Sequence, residues 1–260
     1  MQTLKYEAIQ LKNGNYKKVT DTLVVEAALQ ININNEPYTV VMRTPCDDFE
    51  LIRGLLYAED IYKKKDHLEI TIIEKNENGF AILNTKIPKN KLGKGYLNKR
   101  TLLSVSSCGI CGKQKLEDIS FEGQKLINNL PFDLKKLESM FSEMKNHQET
   151  FELSGGSHAA ALFDSNYKLI NVKEDIGRHN AVDKVIGDLL INATLENANC
   201  LLVSGRVSYE IISKAFIAKI PYVIAVSACS TLAVDYAKEF GITLIGFSRG
   251  KKATIYTNLH

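Results

Sequence analysis

The second half of the chain alternates strands with helices, and this alternation limits the possible folds more than any other feature. The pattern predicts strands at 159–163, 169–172, 200–203, 222–226, 243–247 and 254–257, with helices at 181–190, 208–219 and 232–240. A strand followed by a helix and another strand favours a largely parallel sheet with helices on its faces. We therefore expect residues 149–260 to form an α/β domain.

The first half shows short strands and few helices. Strands are predicted at 22–33, 38–42, 68–73 and 80–83, and helices from Asp47 to about Ala58 and from Asp133 to about Asn146. Asp47 and Asp48 are suited to cap the first helix. We expect residues 1–148 to form an α+β domain, so that the chain divides near residue 148.

Composition excludes several classes of protein. Apolar residues make up 45% of the 260 residues and charged residues 24%, which is typical of a globular chain and not of a disordered one. The longest stretch without a charge, 220–234, is too short and too polar to span a membrane. The N-terminus lacks a secretion signal pattern, so we expect a cytoplasmic protein. A net charge of +3 does not indicate nucleic-acid binding.

Cys108 and Cys111 form a CxxC pair within a basic segment. Five cysteines, an odd number, do not indicate a disulfide framework. Residues 78–116 contain eight lysines and arginines and no acidic residue. Positive charge nearby lowers the pKa of a thiol and favours the nucleophilic thiolate. We expect a mobile, reactive loop at about 86–115.

Four interpretations of this pair remain open. A structural zinc site needs two more ligands at matching spacing, and a thioredoxin-like site needs an early strand before the motif. A zinc deaminase needs an H-x-E helix start, but His67 and Glu69 lead into a strand pattern. The fourth is a sulfur relay, in which one cysteine carries a persulfide and the second closes a disulfide. Of the other cysteines, Cys200 lies in an apolar strand and is expected to be buried.

Polar and cationic segments follow the predicted strands of the second half. Ligands of such sheets gather beyond the carboxyl ends of the strands, where free backbone N–H groups at helix starts bind phosphates. A turn with two glycines precedes the first strand, and its histidine is a candidate hydrogen-bond donor. The candidate residues for a large anionic ligand are Gly155, Gly156, His158, Arg178, His179, Ser204, Gly205, Arg206, Phe247, Ser248, Arg249, Gly250, Lys251 and Lys252.

Several of these segments together resemble the FdhD sulfur carrier proteins of formate dehydrogenase maturation. The resemblance rests on Ser107-Cys108-Gly109-Ile110-Cys111-Gly112, on residues 155–162, on the block 174–184 with its Gly-Arg-His-Asn-Ala-Val-Asp-Lys run, and on residues 204–206 and 241–250. It extends from about Arg43 to Thr257. Three positions depart from the family pattern: Ser154 replaces a threonine, Cys46 a usual glycine and Cys229 a usual proline.

The resemblance implies a specific function. The second domain is expected to be similar to cytidine deaminase, a three-layer sandwich, without the zinc site, and the protein to form a homodimer. Cys108 would accept persulfide sulfur from a cysteine desulfurase, with Cys111 as its partner. The sulfur would pass to the molybdenum or tungsten of the bis-molybdopterin guanine dinucleotide cofactor, held by residues 247–252, before the cofactor enters the formate dehydrogenase catalytic subunit. The alternative is a chaperone that binds this cofactor without sulfur chemistry and uses the CxxC as a redox lid.

Overall fold

The computed structural model describes residues 1–97, 124–127, 132–249 and 252–257. A two-stranded antiparallel ribbon begins the chain, formed by β1 (Thr3–Lys12) and β2 (Asn15–Val24). It is mostly exposed, including Tyr6, Ile9 and Tyr16. The sequence pattern predicts a strand only from residue 22, so most of this ribbon was not expected.

A four-stranded sheet and one helix follow. The sheet contains β3 (Ala27–Ile33), β4 (Glu36–Arg43), β5 (Ile70–Lys75) and β6 (Ala81–Thr85), in the order β4-β3-β6-β5. Helix α1 (Asp48–Ala58) packs its Leu51, Ile52 and Leu56 into a core with Leu29 and Ile31 of β3. These bounds confirm the predicted helix and the hairpin of β5 and β6. The expected cap is wrong, because the Asp47 side chain makes no cap bond and binds Lys173 instead.

The second half contains a six-stranded sheet in the order β12-β11-β10-β9-β7-β8. Its strands are β7 (His158–Phe163), β8 (Leu169–Asp175), β9 (Cys200–Val203), β10 (Tyr222–Ala225), β11 (Thr243–Arg249) and β12 (Lys252–Ile255). Within the described residues of this sheet, parallel pairing is limited to β9, β10 and β11, whereas β7 and β12 pair antiparallel with their neighbours. The expected largely parallel sheet is therefore corrected to a mixed one. β7 turns back into β8 within five residues, which leaves no room for a crossover helix.

Helices cover both faces of this sheet. One face packs against α4 (Arg178–Ile191), α5 (Tyr209–Ile217) and α6 (Thr231–Phe240). The other packs against α2 (Leu137–Asn146), through Leu137, Met140 and Met144. A short helix, α3 (Glu149–Ser154), leads into β7. The result is three layers, as expected, while the likeness to cytidine deaminase stays a prediction.

Helices α1 and α4 join the two halves of the chain at a close crossing. A β-carbon added to Gly54 would overlap the carbonyl oxygen of Asp183, and one added to Gly187 would overlap that of Glu50. Backbones approach this closely only where side chains are absent. The division of the chain into two domains near residue 148 stays a prediction, because the contacts between α1 and α4 join residues on either side of that position. In the described ranges no helix is both long and apolar enough to cross a membrane.

Candidate functional site

The strand directions bring the predicted segments to one edge of the six-stranded sheet. β8 runs in the same direction as β9, β10 and β11, because each is antiparallel to β7 or parallel to its neighbour. The carboxyl ends of these four strands and the start of β7 therefore share one edge. We call this edge the rim. Its residues are His158, Arg178, Ser204, Gly205, Arg206, Ser227, Ala228, Cys229, Ser230 and Phe247.

Backbone hydrogen bonds hold neighbouring rim loops together. The loop after β9 pairs with the loop after β10, since Val207 donates its N–H to the Ala228 oxygen and accepts from Ser230 N–H. Phe247 N–H donates to the Ser227 oxygen at 2.9 Å. Ser204 bonds Ala159 of β7 through both its amide and its side chain. The start of β7, the loops after β9 and β10 and the end of β11 are thus attached to one another.

A cluster of cationic and imidazole groups lies where β7, β8 and β9 meet. A β-carbon on Gly205 would lie 3.2 Å from His158 Nδ1 and 3.5 Å from the Arg178 β-carbon. The absence of a side chain at Gly205 therefore leaves room for both His158 and Arg178 beside the loop that follows β9. Burial is the largest cause that lowers the pKa of His158, and the charges of Arg178 and Arg206 lower it further against the opposing effect of Asp175. The imidazole is consequently held neutral near pH 7.

Arg178 brings to this cluster a buried donor that has no acceptor among the described residues. Its Nε is inaccessible to solvent and has no hydrogen-bond partner in the described part of the chain. Buried polar groups in native proteins are nearly always satisfied. Together with the exposed Arg206 and the start of α4, whose Gly177 cap provides no side-chain bond, this donor suits a phosphate or another oxyanion.

The end of β11 carries a second feature at the rim. Phe247 has a φ of 49° and lies half exposed at a break in the register between β11 and β12. A bulky residue in this left-handed region is strained, and such residues concentrate at functional sites. The adjacent Ser248 is buried, and its hydroxyl has no partner among the residues described. The β11 end thus presents an aromatic face to solvent.

The predicted site residues fall into four groups, the last of which has local packing contacts. His158, Arg178, Ser204, Gly205 and Arg206 come together at the cluster, and Phe247 and Ser248 lie at the end of β11. Lys252 begins β12 and is exposed, and Arg249 ends β11. The candidates Cys108, Cys111, Gly250 and Lys251 lie outside the described residues.

The other predicted residues have local packing contacts. Gly155 caps α3 at a φ of 65°, and a β-carbon on Gly156 would press against Val24 of β2 at 2.8 Å. His179 is buried, with its Nε2 3.0 Å from the Ser208 hydroxyl and 3.8 Å from Glu210. Ligand contact by these three residues stays a prediction.

Buried polar residues behind the rim were not predicted as functional. Asp175 and Lys184 form an ion pair at 2.8 Å with both side chains fully buried. Asp175 also accepts hydrogen bonds from Thr44 N–H, Gly177 N–H and the Asn180 amide. The only sequence signal was the polar block 174–184, which reads equally well as an anion-binding loop. Thr44, 131 positions away from Asp175, carried no signal.

The three described cysteines are free, and two are poorly suited to sulfur transfer. Cys200 is fully buried in β9, as predicted, and burial raises the pKa of its thiol. Burial also raises the pKa of Cys229 to about 11. Cys46 is exposed, at a φ of 143° that glycine tolerates better than any other residue. This backbone angle agrees with a loop position expected to be glycine.

Comparison with known proteins gives consistent matches over nearly the full chain. The model of the FdhD/NarQ family matches residues 24–260. Sulfur carrier protein FdhD of Mycobacterium tuberculosis is 40% identical over 248 residues, covering 91% of this chain and 90% of that protein. Sulfur carrier protein FdhD of Sulfolobus acidocaldarius is 37% identical over 260 residues, covering 99% and 98%. A crystal structure described as a formate dehydrogenase accessory protein from Desulfotalea psychrophila shares the fold, with a TM-score of 0.76, 20% identity and coverage of 99% and 98%.

Proposed function

The chain belongs to the FdhD/NarQ family, and from this premise we propose that it carries sulfur for the maturation of formate dehydrogenase. It would accept the sulfur from a cysteine desulfurase and deliver it to the metal of bis-molybdopterin guanine dinucleotide. The loaded cofactor would then pass to the formate dehydrogenase catalytic subunit. We place this work in the cytoplasm and assign it to a homodimer. The relatives' names support the sulfur-carrier part of this proposal.

The proposed sulfur chemistry takes place on the CxxC pair. The Cys108 thiolate attacks the outer sulfur of the desulfurase persulfide, which forms a Cys108 persulfide and releases the desulfurase thiolate. Cys111 then attacks the inner sulfur, so that the outer sulfur leaves as hydrosulfide and a Cys108–Cys111 disulfide closes. The two thiol sulfurs supply the two electrons that reduce the outer sulfur. A cellular dithiol reductant restores the pair before the next cycle.

The cofactor is the substrate of this step, and we propose that the rim binds its phosphates. The observation that carries this assignment is the buried Arg178 Nε, which has no partner in the described residues and belongs to an arginine whose charge, like that of Arg206, acts on His158. A dinucleotide brings several phosphate oxygens that such donors recognise. Neutral His158 contributes one further donor or acceptor. Residues 247–252 would hold the rest of the nucleotide, with Phe247 available for stacking against a base.

Intact-mass measurement after incubation with a cysteine desulfurase and cysteine tests the carrier function. We expect a gain equal to one sulfur atom, which a thiol reductant removes. The competing function is a chaperone that binds the cofactor without sulfur chemistry, and the cationic side chains of the rim would serve it equally well. Tight cofactor binding without any gain of mass would overturn the carrier and support the chaperone.

A further inference from the structure

Asp175 is fully buried and has four polar partners among the residues that the structure describes. Its Oδ1 accepts hydrogen bonds from Gly177 N–H at 2.8 Å and from the Asn180 amide at 2.9 Å. Its Oδ2 accepts from Thr44 N–H at 3.1 Å and pairs with Lys184 Nζ at 2.8 Å. The first two partners form the turn from β8 into α4, whereas Thr44 belongs to the first half of the chain. One carboxylate therefore connects a rim loop to the end of β4.

Further hydrogen bonds reinforce the same connection. Asn180 donates to the Met42 oxygen at 2.8 Å, and Lys184 donates to the Thr44 oxygen at 3.0 Å. Ile176 N–H donates to the Thr44 hydroxyl at 3.0 Å. Each of these bonds joins Met42 or Thr44, at the end of β4, to the β8–α4 region. We call Thr44, Asp175, Asn180 and Lys184 the polar lock.

The polar lock fixes the backbone that presents Arg178. Ile176 and Gly177 are both bonded within the lock, and Arg178 follows directly as the first residue of α4. A buried ion pair is weak evidence for stability, because desolvation of two charges offsets much of their attraction. Such pairs instead select one geometry when every lone pair and proton has a partner. Here the selected geometry is that of the β8–α4 turn.

We propose that Asp175 is a positioning residue for phosphate binding at the rim, acting through Gly177 and Arg178. The inference rests on the proposed function, since it concerns the same ligand. The inference extends the proposed function, because it makes the affinity for the ligand depend on Thr44, a residue of the first half of the chain. The position of Arg178 would change if the first half moved away from α4.

Guanosine diphosphate is the probe, with its affinity measured by calorimetry on the full chain. For Asp175→Asn we expect affinity to fall about tenfold or more, because a displaced arginine loses charge-assisted bonds to phosphate. Asp48→Asn is the matched control, since it breaks another buried ion pair, Arg43–Asp48 at 2.8 Å, beside Thr44 but removes none of the hydrogen bonds of the polar lock. Its affinity should equal that of wild type. Equal losses in both variants, or no loss in Asp175→Asn, would overturn the positioning role.

A second variant covers the case in which Asp175→Asn does not fold. Thr44→Val keeps the size of the side chain and removes only the hydroxyl that accepts from Ile176 N–H. We expect affinity to fall about fivefold, which corresponds to the free energy that one neutral hydrogen bond contributes. Unchanged affinity in this variant would contradict the dependence on the first half.

Hydrogen exchange distinguishes a failure of this inference from a failure of the proposed ligand. Amide exchange at Ile176 and Gly177 should accelerate in Asp175→Asn or Thr44→Val and stay at the wild-type rate in Asp48→Asn. If wild type does not bind the nucleotide, the proposed ligand is wrong, whereas exchange at Ile176 and Gly177 still tests whether Asp175 and Thr44 hold the turn that presents Arg178. Unaltered exchange in both lock variants would overturn the inference.

Discussion

Gly54 of α1 and Gly187 of α4 lie against each other where the two helices cross, so that a β-carbon on Gly187 would approach the Gly54 nitrogen to 2.8 Å. This crossing joins the first half of the chain to the helix that begins at Arg178. The distance between the two helix backbones therefore affects the position of the rim. Any side chain at the crossing must push the helices apart.

Gly54→Ala and Gly187→Ala should each destabilise the protein. The added methyl groups overlap the carbonyl oxygens of Asp183 and Glu50, which belong to rigid helix backbone. Overpacking of this kind lowers the free energy of unfolding by about 1–3 kcal/mol or more. Chemical denaturation measures the loss. Lys238→Ala, at an exposed position of α6, is the control, and similar stability for all three variants would contradict the close crossing.

The sequence predicted the strands and the longer helices of the second half because each has a clear period, but it did not predict the short helix α3. The buried strand at Cys200–Val203 and the helix at Tyr209–Ile217 are examples, with bounds within two residues of those expected. The direction of β7 was not predictable in the same way, since apolar residues look alike in parallel and antiparallel strands. Most of the ribbon of β1 and β2 was missed because its exposed, mixed residues show no buried face.

The rim was predictable in part and the polar lock was not. Residues that follow strands meet at one edge by topology, so that His158, Arg178 and Arg206 could be grouped from the sequence alone. The bond between Thr44 and Asp175 joins positions 131 apart. No local pattern encodes such a pairing, because it depends on how α1 packs on α4.

The charges of Asp175 and Lys184 should be strongly coupled in stability. Asp175→Asn or Lys184→Met alone leaves one charge buried without its partner, which costs about 3–5 kcal/mol of unfolding free energy. The double variant removes both charges and should lose much less than the sum. Urea denaturation of the four proteins completes the cycle. Additive losses would show that the two side chains do not stabilise each other as the 2.8 Å contact indicates.

Cys108→Ala should abolish the gain of sulfur mass, whereas Cys229→Ser should retain it. Only a thiolate attacks a persulfide, and with a pKa of about 11 roughly one Cys229 thiol in a thousand is ionised at pH 8. Intact mass after incubation with a desulfurase and cysteine distinguishes the two variants. A sulfur-loaded Cys108→Ala protein, or an unloaded Cys229→Ser protein, would move the carrier role away from the CxxC pair.

His158 should make the protein less stable in mild acid. Its pKa in the folded protein lies below the ordinary value of 6.5 because of burial and the charges of Arg178 and Arg206. As the pH falls below about 6.5, the unfolded chain takes up a proton before the folded one, and the free energy of unfolding decreases. His158→Gln should lose less stability than wild type between pH 7 and 5. His147→Gln, at an exposed position, should follow wild type, and equal acid sensitivity of all three would contradict the lowered pKa.

Arg178→Ala should weaken binding of guanosine diphosphate by about ten- to a hundredfold, the range for charge-assisted hydrogen bonds to phosphate. The buried Nε gives the reason, since it needs an acceptor that the described residues do not supply. Calorimetry of Arg178→Ala, Asp175→Asn and the double variant then tests whether Asp175 acts through Arg178. If it does, the double variant binds no more weakly than Arg178→Ala alone, because the positioning residue has nothing left to position. Additive losses would mean that Asp175 supports the ligand by another route, and wild-type affinity in Arg178→Ala would remove this arginine from the phosphate site.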